Sequence, residues 1–283
     1  MLWRGRRQSA NVEDRRLVSG RQMAVGGGLG ALAVVVIVVL LGGDPRQVLQ
    51  NLPVTQSTGQ ESAPPLTAEE QELGEFVSVI LADTEDVWNA MFAQMGKTYR
   101  EPKLVLFRDA TQTPFGTAEA ATGPFYSPAD EKVYIDLAFF QDMQKKLQAP
   151  GDFAWAYVIA HEVGHHVQNL LGTMQQMQAQ QQGLSEEEAN RLLVRLELQA
   201  DFLAGLWTHH AQRLKNLLEA GDIEEGLNAA AAVGDDRIQK RAQGYVVPDA
   251  FTHGTSEQRV RWFSLGLKTG DLRQGDTFAA RTL

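Results

Sequence analysis

The chain has 283 residues, of which 43% are hydrophobic, and its formal net charge at pH 7 is −9. This length can bury a large core, and the acidic balance argues against a general affinity for nucleic acid. The absence of cysteine excludes disulfides, thiol catalysis and any cysteine-ligated zinc site.

The N-terminal residues are arranged like a membrane anchor. Residues 1–22 carry six arginines against two carboxylates, and residues 23–43 are uncharged and end in an aliphatic run. As a helix, the second segment would span about 31 Å. The positive-inside rule predicts a cytoplasmic N-terminus, a single-pass helix in the inner (cytoplasmic) membrane, and a periplasmic or otherwise extracytoplasmic remainder. A cleaved signal peptide is the alternative, although no small-residue cleavage site follows Leu41.

A polar segment then leads into the folded part of the chain. Residues 44–66 are rich in Gln, Ser, Thr and Pro and lack apolar periodicity, so they are predicted to form a flexible linker. The domain is predicted to occupy residues 67–283. Thr67 and Glu70 match a capping box, which predicts a helix to about Met95.

Strand-forming residues are few. Residues 103–107 and 133–137 are predicted to be short buried strands, and residues 109–130, punctuated by Pro and Gly, a long loop. The second strand could border a cleft with a free edge for substrate backbone, or lie inside a sheet. The predicted class is therefore α+β, mainly helical with a small β-sheet.

The chemistry centres on a His-Glu-x-x-His motif formed by His161, Glu162 and His165. It lies in an apolar run predicted to be a helix, with Asp152 as its N-cap and Gly172 as its stop. The spacing puts both imidazoles on one helical face, where they can bind one Zn²⁺ ion. Glu162 is then placed to accept a proton from a metal-activated water.

A catalytic zinc site needs a third protein ligand. A third histidine in the extended metzincin pattern would fall at Leu171, and cysteine is absent. The long helix predicted from Ser185 carries Glu197 among leucines, which favours a ligand over the alternative of a solvated face. Asp201, one turn further along, can hydrogen-bond the far nitrogen of His161 and fix its tautomer.

Two more helices are predicted. One begins at Asp222 and runs through an alanine-rich body toward Arg241, and a short one begins at Thr255 and ends at Gly266. Residues 267–283 are predicted to be a loosely ordered tail.

Residues between these two helices offer candidates for oxyanion stabilisation. His253 lies in an irregular segment just before a capped helix, from which its side chain could reach over the metal. Tyr245 could serve instead. Arg259 could orient the region or simply form an ion pair.

Several segments together carry a family resemblance. They are Gly5 to Arg7, Asn11 to Arg16, Gly123 to Tyr126, Pro128 to Asp130, Val133 to Leu137, His161 to Gln168, Glu197 to Asp201, Gly234 to Asp236, His253 to Ser256, and Arg259. With them the chain resembles the neutral zinc metallopeptidase family of bacteria (YpfJ-like), which are gluzincin-type peptidases. The resemblance covers nearly the whole chain.

The resemblance implies a zincin-like metallopeptidase domain that holds Zn²⁺ by His161, His165 and Glu197, with Glu162 as general base. The segment that begins at His253 is also similar to one in HtpX-like and Ste24-like membrane peptidases, which favours His253 over Tyr245.

The chain departs from the family pattern at three positions. Many members carry cysteines where this chain has Phe115, Ser127 and Gly275. If those cysteines form disulfides, packing alone is expected to hold the loop and the tail here.

The sequence thus predicts a membrane-anchored, extracytoplasmic zinc endopeptidase that acts on unstructured or misfolded polypeptide. It does not predict an oligomeric state. The alternatives are a non-catalytic, zinc-stabilised module that binds a peptide or a partner, and a zinc amidase acting on cell-wall peptides. The presence of Glu162 beside the ligands favours an enzyme over the module.

Overall fold

The computed structural model describes residues 1–17 and 64–283, which form a mainly helical α+β fold. Its helices are α1 (Ala68–Gln94), α2 (Ala138–Lys145), α3 (Asp152–Leu171), α4 (Thr173–Gln181), α5 (Glu186–Lys215), α6 (Asp222–Ala232), α7 (Asp235–Gln243) and α8 (Ser256–Thr269). Its strands are β1 (Val12–Asp14), β2 (Lys103–Phe107), β3 (Ala110–Thr113), β4 (Gly116–Glu119), β5 (Phe125–Ser127) and β6 (Lys132–Asp136).

The main sheet has the strand order β1-β2-β6-β5. Strands β1, β2 and β6 are parallel, and β5 pairs antiparallel with β6. Strand β6 therefore lies inside the sheet, which decides between the two interpretations of residues 133–137. The prediction of a long loop at 109–130 is wrong, because this stretch contains β5 and the β3–β4 hairpin. The hairpin strands are short and polar, so they lack the alternation that reveals strands in sequence.

Residues 1–17 are part of the folded domain. Strand β1 adds to the sheet beside β2 over three residue pairs. Trp3 is buried against Phe76, with ring centroids 5.4 Å apart. The guanidinium of Arg6 lies 2.7 Å from the buried carboxylate of Asp83. Part of the arginine cluster that suggests a topology signal therefore has ion-pair partners in the fold.

This packing corrects a predicted domain boundary. The prediction that residues 1–22 form a separate segment is wrong for residues 1–17. These residues share the sheet and the hydrophobic core of the domain at 64–283. A chain that crossed a bilayer once between residues 17 and 64 would put these two parts on opposite sides, so the docked strand and that topology exclude each other. The predicted membrane helix 23–43 and the predicted linker up to residue 63 lie outside the described residues.

No helix in residues 1–17 or 64–283 combines the length and hydrophobicity that a bilayer crossing requires.

Helices α3, α5 and α8 pack together around the main core. Two glycines allow α5 and α8 to touch: a Cβ on Gly205 would lie 2.0 Å from the carbonyl oxygen of Phe263, and one on Gly266 would lie 2.0 Å from that of Phe202. Gly266 therefore serves helix packing and does not end α8 as predicted. This close contact brings side chains of α8 up to the motif helix.

Other helix boundaries are partly confirmed. The predicted capping boxes at Thr67, Ser185 and Thr255 are all present. The helix predicted from Asp222 is two helices, α6 and α7, because extended backbone at Gly234 interrupts it. The N-cap of α3 is the residue before Asp152, which is itself the first helical residue.

The C-terminal tail is ordered, contrary to the prediction. Thr277 is fully buried, and its hydroxyl donates to the carbonyl of Arg195 at 2.6 Å. The guanidinium of Arg195 in turn donates to the backbone carbonyls of Thr277 and Ala280. Much of this hydrogen bonding uses backbone carbonyls of the tail, which any residue supplies, so the tail's sequence shows no periodic pattern.

Candidate metal centre

Two histidines and a glutamate converge between α3 and α5. His161 and His165 lie one turn apart on the buried face of α3, and Glu197 faces them from α5. Nε2 of His161 is 3.1 Å from one carboxylate oxygen of Glu197, and Nε2 of His165 is 3.3 Å from the other. One ligand atom from each of the three lies within 4.8 Å of the others. The structure thus brings the three predicted ligands together.

This donor set fits a zinc ion. Bonds of about 2.0–2.1 Å in a tetrahedron place neighbouring donors about 3.3 Å apart. The two nitrogen–oxygen separations of 3.1 and 3.3 Å, one to each oxygen of Glu197, are close to that spacing. Three protein ligands also leave a fourth position for water or substrate, as in catalytic zinc sites.

The far nitrogen of His161 is held by Asp201, as predicted, at 2.9 Å from Nδ1 to Oδ1. Asp201 is fully buried, and Arg259 from α8 binds both its oxygens: Nε donates to Oδ2 at 2.8 Å and Nη2 to Oδ1 at 3.0 Å. The hydroxyl of Tyr157, one turn before His161, also donates to Oδ1. Of the two interpretations of Arg259, the structure therefore shows an ion pair that also orients the site.

Charges in this cluster keep its carboxylates ionised. Burial alone would raise the pKa of Asp201, but Arg259 and His161 lower it. Burial alone would likewise raise the pKa of Glu197, but His165 and His161 lower it well below its usual range. Burial alone would lower the pKa of His161, whereas Asp201 and Glu197 raise it to about 10. Both carboxylates are therefore anionic at neutral pH.

His165 has a different partner, Gln168, which the sequence did not mark as a site residue. Oε1 of Gln168 is 2.9 Å from Nδ1 of His165, and its Nε2 donates to the carbonyl of Leu196 at 2.7 Å. The side chain is fully buried. The available signal was the three-residue spacing, which puts Gln168 and His165 on one helical face.

Of the two candidates for the oxyanion, the structure brings His253 toward the site. Burial alone would lower the pKa of its imidazole, while Asp235 and Glu197 raise it. Oδ2 of Asp235 accepts the backbone N–H groups of Thr252, His253 and Gly254 at 2.8, 2.7 and 3.0 Å. Its Oδ1 lies 3.3 Å from Nδ1 of the histidine. Sequence reasoning missed this role of Asp235, because the two residues lie in separate elements.

Tyr245, the other candidate, is not brought to the cluster. It is 62% exposed on the stretch that follows α7. Sequence position alone suggested it, and the turn that α7 introduces carries it into solvent.

Two other residues of the motif, Glu162 and His166, are buried in α3. Glu162 directly follows the first ligand and is 8% exposed, so its carboxylate is largely shielded from bulk water beside the ligands. His166 is fully buried; its Nε2 donates to the carbonyl of Arg100 at 2.6 Å, and its Nδ1 accepts from the Tyr126 hydroxyl at 2.9 Å. His166 is therefore a packing residue, held by a backbone carbonyl and a tyrosine hydroxyl.

The chain is similar to known proteins over most of its length. Residues 1–278 match the family model described as "Putative neutral zinc metallopeptidase". The Escherichia coli (strain K12) protein "Uncharacterized protein YpfJ" is 51% identical, over 98% of this chain and 99% of that protein. The Mycobacterium tuberculosis (strain H37Rv) protein "Uncharacterized protein Rv2575" is 40% identical, over 87% of this chain and 86% of that protein. No solved structure matches the chain.

Proposed function

Because this chain belongs to the neutral zinc metallopeptidase family, we propose that it is a zinc-dependent endopeptidase with a zincin-like catalytic domain. Membership of the family implies Zn²⁺ as the cofactor. The observation that carries the proposal is the convergence of His161, His165 and Glu197 beside Glu162.

In this proposal the three ligands bind the metal ion and Glu162 transfers the proton. His161, His165 and Glu197 would hold the ion, which when bound would acidify a water molecule and polarise the scissile carbonyl. Glu162 accepts the proton of that water and passes it to the leaving amine. The Glu162 carboxylate can accept and then deliver the proton because it directly follows His161 in α3 and therefore stays beside the reaction site.

His253 supports the developing oxyanion in this proposal. Its imidazole carries a raised pKa, so it can donate a hydrogen bond to negative charge. Asp235 fixes the backbone around it and faces its other ring nitrogen. The substrate class proposed is unstructured or misfolded polypeptide.

Metal analysis combined with casein cleavage tests the proposal. Glu162→Gln should retain zinc but lose activity by about 10²- to 10⁴-fold, because it keeps the shape and removes the base. Glu197→Ala should lose zinc as well as activity. The matched control is Glu187→Gln, an exposed glutamate on α5, which should change neither.

The outcomes separate the alternatives. Equal casein cleavage by wild type and Glu162→Gln would contradict the general base. A wild-type protein that binds zinc and cleaves no polypeptide would instead be a zinc-stabilised binding module, and one that cleaves only cell-wall peptides would be an amidase.

Membrane attachment and location remain predictions, since residues 23–43 lie outside the described part of the chain. We propose that residues 1–17 and the catalytic domain lie on the same side of any membrane, because β1 is a strand of the domain's sheet. The extracytoplasmic side predicted from the sequence assumed a single crossing between these two parts, so the side that they share is decided by the labelling experiment below.

Single cysteines in this cysteine-free chain test the location. Gln8→Cys and Gln176→Cys, both at exposed positions, would be treated in intact cells with a membrane-impermeant maleimide. We expect both to react if the domain is extracytoplasmic. Reaction at only one of them would show that the N-terminal strand is undocked in cells.

A further inference from the structure

The amide of Gln168 can be oriented without ambiguity. Its Nε2 faces the carbonyl oxygen of Leu196 at 2.7 Å, and a carbonyl oxygen only accepts hydrogen bonds. The nitrogen must therefore point to α5, which leaves Oε1 facing Nδ1 of His165 at 2.9 Å. Oε1 only accepts, so Nδ1 of His165 must carry a hydrogen.

This orientation decides the tautomer of the second ligand. A neutral imidazole with its hydrogen on Nδ1 has its lone pair on Nε2. Nε2 is the atom of His165 that faces Glu197 at 3.3 Å. Gln168 thus presents the lone pair of His165 to the metal position.

A second amide holds the first. The remaining N–H of Gln168 points to Oε1 of Gln199 on α5, at 3.1 Å. Nε2 of Gln199 donates to the carbonyl oxygen of Gly275 at 2.9 Å, which orients this amide by the same reasoning. Both hydrogens of the Gln168 amide are therefore used, and the relay ends on the backbone of the C-terminal segment.

Residues 195–201 of α5 consequently make contacts on two faces of the helix. Glu197 and Asp201, four residues apart, face the histidines. Arg195 and Gln199, also four residues apart, bind the backbone of the C-terminal segment between Gly275 and Ala280. The same stretch of α5 therefore faces the metal position on one side and contacts the C-terminal segment on the other.

We propose that Gln168 is the positioning residue of His165, and that Gln199 links it to the C-terminal segment. This inference rests on the proposed zinc site but not on peptidase activity. In this inference a neutral amide, Gln168, fixes the tautomer of His165, whereas a carboxylate, Asp201, fixes the tautomer of His161. Loss of an outer partner of this kind lowers metal affinity by about 10- to 100-fold.

Zinc affinity of the full-length protein tests the inference, measured by competition with a chromogenic chelator. Gln168→Met keeps the length of the side chain and removes the amide; its dissociation constant for zinc should rise by about 10- to 100-fold. The visible spectrum of its Co²⁺ form should differ from wild type, because the ring of His165 is free to turn. Gln199→Leu should raise the dissociation constant less, since it leaves the bond to His165 intact. Gln176→Met, at an exposed position of α4, is the matched control and should match wild type.

A second measurement needs no variant. In the long-range ¹⁵N–¹H spectrum of the wild-type zinc form, His165 should show a hydrogen on Nδ1. A hydrogen on Nε2 would overturn the inference.

The zinc-binding measurements distinguish a positioning role of Gln168 from a packing role. An unchanged zinc affinity and Co²⁺ spectrum in Gln168→Met, with only a lower free energy of unfolding, would make Gln168 a packing residue and overturn the inference. Zinc binding by wild type without casein cleavage would overturn the proposed enzyme and leave the role of Gln168 standing. A wild-type protein that binds no zinc would overturn both.

Discussion

The two histidines of α3 that are proposed as ligands are supported in different ways. Behind His161 lies an ionic cluster, in which buried Asp201 is bound by Arg259 and Tyr157. Behind His165 lies a neutral amide, Gln168, held by backbone carbonyl oxygen and a second amide. One turn of helix separates two supports of opposite electrostatic character.

The difference shows what each kind of support requires. A buried carboxylate is expensive unless a countercharge and several donors meet it, so the first support draws on three helices, α3, α5 and α8. An amide carries no charge and needs only hydrogen-bond partners, which α5 and the C-terminal segment supply. The ionic support should therefore dominate stability, while both supports should matter for the metal.

The largest effect is expected from removing the countercharge. Arg259→Leu removes the guanidinium that binds both oxygens of the buried Asp201 carboxylate and should lower the free energy of unfolding by about 3–5 kcal/mol. The measurement is denaturant unfolding of the zinc-free protein. Arg261→Leu, two residues further on α8 and exposed, is the control and should stay within about 0.5 kcal/mol of wild type. Equal losses in the two variants would remove the ionic side of the comparison.

A smaller loss is expected for the hydroxyl in the same cluster. Tyr157→Phe removes one donor to Asp201 and should cost about 1.5–3 kcal/mol, the range for hydrogen bonds to charged groups. Tyr99→Phe is a matched control, since the Tyr99 hydroxyl is buried without a hydrogen-bond partner among residues 1–17 and 64–283. It should unfold at the same denaturant concentration as wild type, or at a higher one. A cost for Tyr99→Phe as large as that for Tyr157→Phe would count against this explanation.

Zinc affinity sharpens the comparison from the other side. Asp201→Asn should raise the dissociation constant for zinc by about 10- to 100-fold, a range like that expected for Gln168→Met. Its stability loss should be larger than that of Gln168→Met, because Arg259 loses its buried anion. Chelator competition and denaturant unfolding on the same samples measure the two effects. Equal stability losses would show that charge is not what separates the supports.

The smallest effect concerns an ionic contact in a wetter setting, at strand β1. Nζ of Lys132 lies 3.0 Å from both carboxylate oxygens of Glu13. Burial alone would raise the pKa of Glu13, but Lys132 and Arg15 lower it to about 2. A folded pKa below the unfolded value of 4.5 means that this stabilisation is complete above pH 4.5 and is lost as the pH falls toward 2.

Fluorescence anisotropy of a label on Gln8→Cys would report the release of the N-terminal strand in that pH window. Adding Glu13→Gln should remove the pH dependence, because the amide does not titrate there. A release curve unchanged by Glu13→Gln would assign the transition to other carboxylates.

The sequence by itself determined the proposed ligands and many of the helices. His161, Glu162 and His165 share a face because of helix periodicity, and Glu197 and Asp201 repeat that spacing on the next helix. The capping boxes at Thr67, Ser185 and Thr255 are likewise local patterns, and the structure confirms them. Such features are readable because they depend only on neighbours three or four residues away.

Only the tertiary structure decided the supports. Arg259 reaches Asp201 because two glycines let α8 lie directly on α5, and Gln168 matters because α5 presents a carbonyl to it. The same holds for strand β1, whose partners lie about ninety residues further along the chain. These contacts join residues that are distant in sequence, so no local periodicity encodes them, and the packing of the helices alone determines which side chains meet.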